Sequence, residues 1–548
     1  MGAPLIPQGK FDIPDISNKV PRRLKPWIFI VFVLIFQLSG GVYLAAATDM
    51  VGATALMHED IMMAGYASLI GMSLNFAVMF RLKFRFSLRT SLKTCCVALI
   101  VCNLICLHTT SVPLLVATCF IAGWFRMWGT FICNTTIQLW ITPKRDMAEW
   151  FCFIYLIVQG SMQIDGIAIV CTGFWTSWRY MHWLVIGLLS SVFILTTLLT
   201  HHHRVMPKLP LFGIDWLGSA LWGGVMLCIV FICLYGDYYD WWYSSNIRIA
   251  TFMAIIGVGI NVWRMSLLRH PYIAPIVWKN RIIIKTTILY LIIDFLVSTE
   301  HVVEHAFGEA ILGYNSLHSI SLNLYVLAGV LFSCIFCYIV FAKKRWTFRR
   351  MTIIGFIFAT FYLAYFYFFI DYNLTKEMLF IPLFCRGVAV VTCSICFLTA
   401  ISQARLPFPN FAQALTINGF ASAVLGSTVG PAILGEIFEH TITKNAMLIG
   451  SSMTAVNTQA AHIPLPQLYG IVQQQALIVS MKEVFGWLLL IAITMVVMLA
   501  VIASDPIRPS AIHPKWSTIR KGFKNSLKIY RRLPIPFVHK RWDAIDDE

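Results

Sequence analysis

The chain has 548 residues, of which 58% are hydrophobic and 12% are charged, and its mean hydropathy is +0.75. This composition excludes a soluble globular protein, because apolar runs recur along nearly the whole length and each can cross ~30 Å of hydrocarbon as a helix of ~20 residues. The formal charge of +17 would also suit nucleic-acid binding. We expect no nucleic-acid partner, however, since the basic residues are distributed by side of the membrane.

In chain order, the apolar runs predict 14 helices, at 27–48, 60–81, 92–109, 113–140, 149–172, 183–200, 212–235, 247–266, 284–308, 318–342, 351–371, 379–402, 411–437 and 479–503. Helices satisfy every backbone hydrogen bond internally, as a membrane requires. The pattern therefore predicts an all-α polytopic membrane protein. The 15 cysteines lie inside these runs, where we expect them to pack helices rather than to form a disulfide framework.

The distribution of charge predicts the orientation. If the N-terminus is cytoplasmic and the helices alternate, most of the 42 Lys and Arg fall on the cytoplasmic side. The outer segments then hold only Arg179, Arg248, Lys376, Lys444 and Lys482. This positive-inside bias predicts that both termini are cytoplasmic. No cleavable signal pattern precedes helix 1, so we expect that helix to direct insertion.

The sequence indicates two repeated halves. "FIAGWFRMWGTFICNTTIQLW" in helix 4 is similar to "FIPLFCRGVAVVTCSICFLTA" in helix 12, and basic turns follow both helix 2 and helix 10. Two six-helix halves are typical of parallel-repeat transporters, which bind substrate near the membrane midplane. The predicted organisation is a cytoplasmic segment 1–26, a half 27–204, two inserted helices 205–270, a half 271–504 with an outer hairpin at about 437–478, and a basic tail 505–548.

Several segments resemble EmrB/QacA-type drug:proton antiporters of the major facilitator superfamily. They are "SWRYMHWLVIGLL" (177–189), "FGIDWLGSA" (212–220), "YGDYYDWWYSS" (235–245), "LGYNSLHSI" (312–320) and "GSTVGPAILG" (426–435). Their order and spacing agree over about residues 27–503. The resemblance implies a major facilitator fold with 14 transmembrane helices, arranged 6 + 2 + 6, and proton-driven export; it does not imply one substrate.

The chain also departs from that family. The acid usual in helix 1 is absent, since Ser39 and Gly40 stand near its position. The Gly/Asp-containing loop after helix 2 is reduced to basic residues, and the helix 5 motif has Asp165 and Gly166 but no proline. These departures leave open where the proton site lies.

Helix 9 has an unusual number of charged residues for a membrane helix. At ~100° per residue, Asp294, His301 and His305 fall on one stripe, with Glu300 and Glu304 beside it, all within an arc of about 140°. Charges at membrane depth are costly, so each such residue is a candidate for a functional role. We expect this face to line the cavity, with Asp294 as the first proton carrier and Glu300 or Glu304 as the second. Alternatively, Glu304 and His305 are only interfacial.

Three further charged residues within predicted helices are candidates for the mechanism. Arg126 matches the arginine of the antiporters' helix 4 pattern, and we expect it to assist proton coupling; alternatively it fixes helix packing. Asp165 is a further proton-carrier candidate that could instead pair with an arginine. Arg386 is a candidate for the substrate cavity, where its guanidinium could bind carboxylates or backbone carbonyls.

His301, Glu304 and His305 also fit the H-x-x-E-H zinc pattern. A membrane zinc hydrolase is therefore an alternative of a different class, although no third ligand is evident. We expect no enzyme activity, no cofactor and no resident metal.

A glycine–proline motif and a group of aromatic residues complete the candidates. In helix 13, Gly426, Gly430, Pro431 and Gly435 permit close helix approach and a kink, and the resemblance implies a role in conformational switching. His301 and several aromatic residues are candidates for lining the substrate cavity: Phe36, Trp124, Trp128, Phe361 and Tyr365.

The leading interpretation is a proton-coupled exporter of amphiphilic drugs or toxic small molecules in the cell inner membrane. A dedicated exporter of one lipid-like or peptide metabolite is the alternative.

Between Glu436 and Ser480, apolar residues recur at helical spacing on both sides of Pro464 and Pro466, which predicts two short helices joined at the prolines. The resemblance implies that this hairpin docks a periplasmic membrane-fusion adaptor, which works with an outer-membrane channel.

Overall fold

The computed structural model describes a defined part of the chain: residues 16–17, 20–21, 23–40, 42–45, 47, 50–51, 56–143, 146–201, 211, 214–404, 406–452, 464–501 and 508–509. These residues form helices and turns, apart from one isolated antiparallel bridge between Ile16 and Thr200. Most of the predicted basic tail 505–548 lies outside them.

The helices among the described residues follow the predicted order. They are α1 Lys25–Leu38, α2 His58–Arg85, α3 Leu88–His108, α4 Val112–Ile141, α5 Met147–Trp175, α6 Trp178–Leu199, α7 Trp216–Tyr235, α8 Ser245–Leu267, α9 Arg281–Ile311, α10 Leu317–Lys343, α11 Phe348–Phe369, α12 Phe380–Ser402, α13 Asn410–Ser452 and α14 Leu465–Val501. Thirteen of them are long and apolar enough to cross a membrane, and α1 is a shorter apolar helix. The predicted all-α polytopic fold is confirmed.

The first helix ends earlier than predicted. We expected one helix over 27–48, but α1 ends at Leu38 and a separate short helix covers Val42–Ala45. The Ser39 hydroxyl donates to the Phe36 carbonyl at 2.7 Å, and Gly40 follows. Local hydrogen bonding by serine and the low helix propensity of glycine both favour a break here.

The last two helices are longer than predicted. We expected them to end at 437 and to begin at 479, with a separate hairpin between, but α13 runs to Ser452 and α14 begins at Leu465. Pro464 and Pro466 therefore lie at the start of α14 rather than between two short helices. Proline is favoured there because the N–H groups of the first helical turn have no partner within the helix. The extensions are joined by a 2.7 Å ion pair between Lys444 and Glu483.

The chain divides into two compact units. Unit 1 comprises residues 1–288, 397–424 and 509–548, and unit 2 comprises residues 289–396 and 425–508. The boundaries cut through α9, α12 and α13. The predicted division into two six-helix halves and an inserted pair stays a prediction.

In unit 1, α2 and α4 cross at a pair of glycines. A Cβ at Gly71 would overlap the Phe120 carbonyl, and a Cβ at Gly123 would overlap the Ser68 carbonyl. Only glycine permits this backbone-to-backbone contact.

In unit 2, α10 and α12 also cross at a pair of glycines. A Cβ at Gly329 would overlap the Phe384 carbonyl, and a Cβ at Gly387 would come within 2.6 Å of the Val326 carbonyl oxygen. The second and fourth helices of each predicted half therefore cross in the same way, as the similarity of helices 4 and 12 leads one to expect.

Candidate functional site: two buried arginines and two buried acids

The polar part of α9 is not an ordinary α-helix. It forms π-helical turns at Glu300–Glu304 and Phe307–Ile311. These wider turns rotate the following side chains relative to an α-helix. As a result, His301 and His305 are exposed whereas the Glu304 side chain is only 14% exposed. Asp294 is only half-buried but has one oxygen shut off from solvent, so the three residues of the predicted stripe lie in different environments.

Arg386 of α12 bridges the two glutamates of α9. Its Nη1 lies 2.7 Å from Glu304 Oε2 and its Nη2 lies 3.1 Å from Glu300 Oε1. Arg386 is only 4% exposed, whereas the Glu300 side chain is 41% exposed. One guanidinium thus faces two carboxylates, and Glu300 is the member of the cluster that other molecules can reach.

Two hydroxyls extend this cluster. Tyr362 of α11 donates a hydrogen bond to Glu304 Oε1, and its oxygen lies 2.6 Å from that of Thr299. Both Glu304 oxygens therefore have partners, as a largely buried carboxylate requires. Neither Tyr362 nor Thr299 was expected from the sequence, since a tyrosine in the aromatic run of α11 carries no distinguishing signal.

Asp294 lies deeper in α9, against the glycine–proline motif of α13. A Cβ added at Gly426 would come within 2.5 Å of Asp294 Oδ2. That oxygen is shut off from solvent and has no hydrogen-bond partner among the described residues. An ionised carboxylate is costly in such a place.

The motif continues this contact by one more turn. A Cβ at Gly430 would lie 2.9 Å from Ser298 Oγ, whereas one at Gly435 would have no neighbour within 4 Å. π-helical turns at Phe420–Gly426 precede Pro431, which sits inside an otherwise continuous helix. The first two glycines therefore serve close packing of α13 on α9, and Gly435 does not take part in that contact.

Unit 1 contains a second buried arginine. Arg126 of α4 is 4% exposed and donates from Nη2 to Gln37 Oε1 of α1 at 2.9 Å. The Gln37 amide nitrogen lies 3.3 Å from the Thr130 hydroxyl. A Cβ at Gly40 would overlap the guanidinium, so the break after α1 makes room for Arg126.

Asp165 of α5 is the acid of this second cluster. It is 8% exposed and interacts electrostatically with Arg126. Asp165 Oδ2 is buried without a hydrogen-bond partner among the described residues, and so is Arg126 Nε. The pairing of Asp165 with an arginine, one of the two alternatives drawn from the sequence, is thus an electrostatic interaction.

The two arginines occupy equivalent places in the predicted repeat. Arg126 on the fourth helix binds an acceptor on the first, and Arg386 on the twelfth binds acceptors on the ninth. The acceptor is a neutral amide in one case and a pair of carboxylates in the other. Gln37, an isolated polar residue in the apolar α1, is the signal that could have found the first pair.

The aromatic candidates are placed differently from one another. Phe36 is fully buried, with its ring packed on Gly129, and Trp128 is buried in contact with Trp124. By contrast, Phe361 is 52% exposed, and Tyr365, which is half-buried, stacks near Phe369. These residues do not form one group.

The zinc pattern in α9 does not assemble into a site. Glu304 is held by Arg386 and Tyr362, while His305 lies 3.4 Å from Glu309. In the part of the chain that the structure describes, no group of three or more His, Cys, Asp or Glu could hold a metal ion.

Comparison with solved structures identifies the fold. The crystal structure of a mutant of the nucleoside transporter NupG is similar with a TM-score of 0.52 at 13% identity, over 86% of this chain and 99% of that one. A mutant of the peptide transporter POT in complex with sulfate has a TM-score of 0.49 at 14% identity, over 90% and 97% of the two chains. No family model and no curated protein matches the sequence. The similarity to NupG shows that the chain has the major facilitator fold, and its apolar helices make it a multi-pass membrane protein.

Proposed function

We propose that the chain is a secondary active transporter, and not an enzyme, that exports amphiphilic drugs or toxic small molecules by alternating access in exchange for protons. The observation that supports this most is Asp294: a carboxylate oxygen shut off from solvent, without a partner among the described residues, at a glycine contact between two helices. Such an acid is held neutral in one state and can release its proton when helix movement admits water.

The Arg386 cluster supplies a second exchangeable element. Because two glutamates share one guanidinium, protonation of either leaves an ion pair intact. Glu300 is the exposed arm, and we propose that it meets substrate or protons first. Asp165 beside Arg126 is the corresponding group in unit 1.

The structural neighbour with the same fold is named as a nucleoside transporter, which agrees with a transport role. We place the protein in the cell inner membrane with both termini cytoplasmic, from the charge distribution. A dedicated exporter of one lipid-like or peptide metabolite would use the same machinery. A zinc hydrolase is disfavoured by the two bonds that already hold the Glu304 carboxylate.

Uptake into inside-out vesicles tests the proposal. Vesicles with and without the protein are given a panel of fluorescent amphiphilic dyes, with a proton gradient that is imposed and then collapsed by a protonophore. We expect at least one dye to accumulate only when both the protein and the gradient are present. Accumulation that ignores the gradient would contradict proton coupling, and equal behaviour of empty vesicles would contradict efflux of this substrate class.

A further inference from the structure

The segment between α8 and α9 is bonded to α2 at Leu74 in unit 1. The Tyr272 hydroxyl donates to the Leu74 carbonyl at 2.5 Å. Gln413 of α13 accepts from the Ala274 N–H at 2.9 Å and donates to the Pro271 carbonyl at 3.3 Å. These bonds hold residues 271–274 against α2 and α13, with Leu74 about two turns before Arg81.

Arg81 and Arg269 both act electrostatically on His270 in this region, and neither has a counter-ion among the described residues. Arg81 lies one turn before the end of α2, and Arg269 lies two residues after α8. Arg81 Nη1 and Arg269 Nε are each shut off from solvent, and neither atom has a hydrogen-bond partner in the described part of the chain. Buried guanidinium donors without acceptors are costly, and an anion would supply acceptors to both.

Two nearby groups, His270 and Asp215, do not neutralise the arginines. Burial and the charges of Arg81 and Arg269 lower the pKa of His270 to about 4. The acid at the start of α7, Asp215, is already committed: its Oδ1 accepts from Arg264 at 2.7 Å and from the Gly218 N–H at 2.9 Å.

The position of the cluster indicates the source of the anion. The α8 helix presents apolar side chains outward, with Phe252 64%, Ile255 66% and Trp263 63% exposed. An exposed tryptophan in the last turns of a membrane helix is typical of the headgroup level, and Arg269 follows directly. By the charge distribution, this is the cytoplasmic side, where basic pockets between helices bind anionic headgroups.

We propose that Arg81 and Arg269 form a binding site for the phosphate group of an anionic phospholipid. A guanidinium fork matches two phosphate oxygens, and two forks from α2 and the α8–α9 segment would join these elements through one headgroup. The site is separate from the Asp294 and Arg386 clusters, so it stands or falls independently of the proposed transport function.

The test uses the purified full chain in dodecyl maltoside micelles, with bound lipid counted by native mass spectrometry. The probes are phosphatidylglycerol, phosphatidylcholine and inorganic phosphate. The variant is Arg81→Gln with Arg269→Gln. The matched control is Arg179→Gln with Arg248→Gln, which removes the same charge from two arginines that are exposed. Arg81→Lys with Arg269→Lys serves if the glutamine variant is not monodisperse, since it keeps the charge but loses the fork.

We expect the protein to prefer phosphatidylglycerol over phosphatidylcholine, and the site variant to weaken phosphatidylglycerol binding by roughly tenfold while the control does not. The lysine variant should weaken phosphatidylglycerol binding less than the glutamine variant does. If inorganic phosphate competes at the same site, the phosphate chemistry stands and the lipid source is wrong. Equal binding by wild type and either site variant, or an equal loss in the control, would overturn the proposal.

Discussion

Asp294 of α9 lies directly against Gly426 of α13, so closely that a Cβ at position 426 would come within 2.5 Å of its Oδ2. Sequence patterns single out both residues, but for unrelated reasons: one is an acid in a membrane helix and the other begins a glycine–proline motif. The structure joins them in one contact, in which the first glycine of the motif lies against the candidate proton carrier.

Gly426→Ala tests this contact. The added methyl must displace Asp294 or separate α9 from α13, and we expect a loss of roughly 1–3 kcal/mol of stability from overpacking together with impaired transport. Thermal unfolding in detergent and vesicle transport measure the two effects. Gly435→Ala is the control, since its Cβ would have no neighbour within 4 Å; equal effects at both positions would show that the contact has no special role.

The Arg386 cluster predicts different costs for two glutamates of the same helix. Glu304→Gln removes one charge from a nearly buried pair and should destabilise the protein by about 1–3 kcal/mol. Glu309→Gln should have little effect on unfolding, because the Glu309 side chain is 52% exposed and its partner His305 is equally open. Equal melting temperatures for the two variants would contradict the structural importance of the Arg386–Glu304 pair.

Arg126→Lys keeps the charge but loses the planar fork that reaches Gln37. We expect turnover to fall by roughly tenfold, the equivalent of one charge-assisted hydrogen bond. Arg248→Lys, at an exposed position, is the matched control. Unchanged transport in the Arg126 variant would make this residue a simple structural cation.

The adaptor proposal concerns the last turns of α13 and the first turns of α14, which extend beyond the predicted helices. Replacing 441–468 by a short Gly/Ser linker should leave vesicle transport intact while whole-cell resistance and adaptor co-purification are both lost. Lys444→Gln with Asn445→Ala, which removes only the bonds to Glu483 and Ser480, should keep co-purification. The docking idea fails if the linker variant still binds an adaptor, or if the intact protein binds none.

Much of the fold could be predicted because apolar length and charge asymmetry act locally along the chain. The misplaced boundaries have local causes of another kind. Ser39 and Gly40 interrupt α1, whereas α13 and α14 extend beyond the predicted bounds because the polar residues there are no barrier to a helix.

The sequence indicates the individual charged residues of the site but not how they contact one another. Arg386, Glu304 and Asp294 are recognisable as charges in apolar helices. Their partners depend on π-helical turns that change the register and on packing between distant helices, which a periodicity of 3.6 residues does not contain. Tyr362 therefore belongs to the cluster although the sequence did not indicate it, whereas His301 is exposed.

The most direct test of the central claim is proton-gradient-driven substrate accumulation by Asp294→Asn in reconstituted proteoliposomes, measured beside gradient-free exchange of the same substrate. The asparagine keeps the size of the side chain at the Gly426 contact but cannot carry a proton. We predict that accumulation is lost while exchange persists. Accumulation equal to wild type across the pH range would contradict the assignment of Asp294 as the proton carrier.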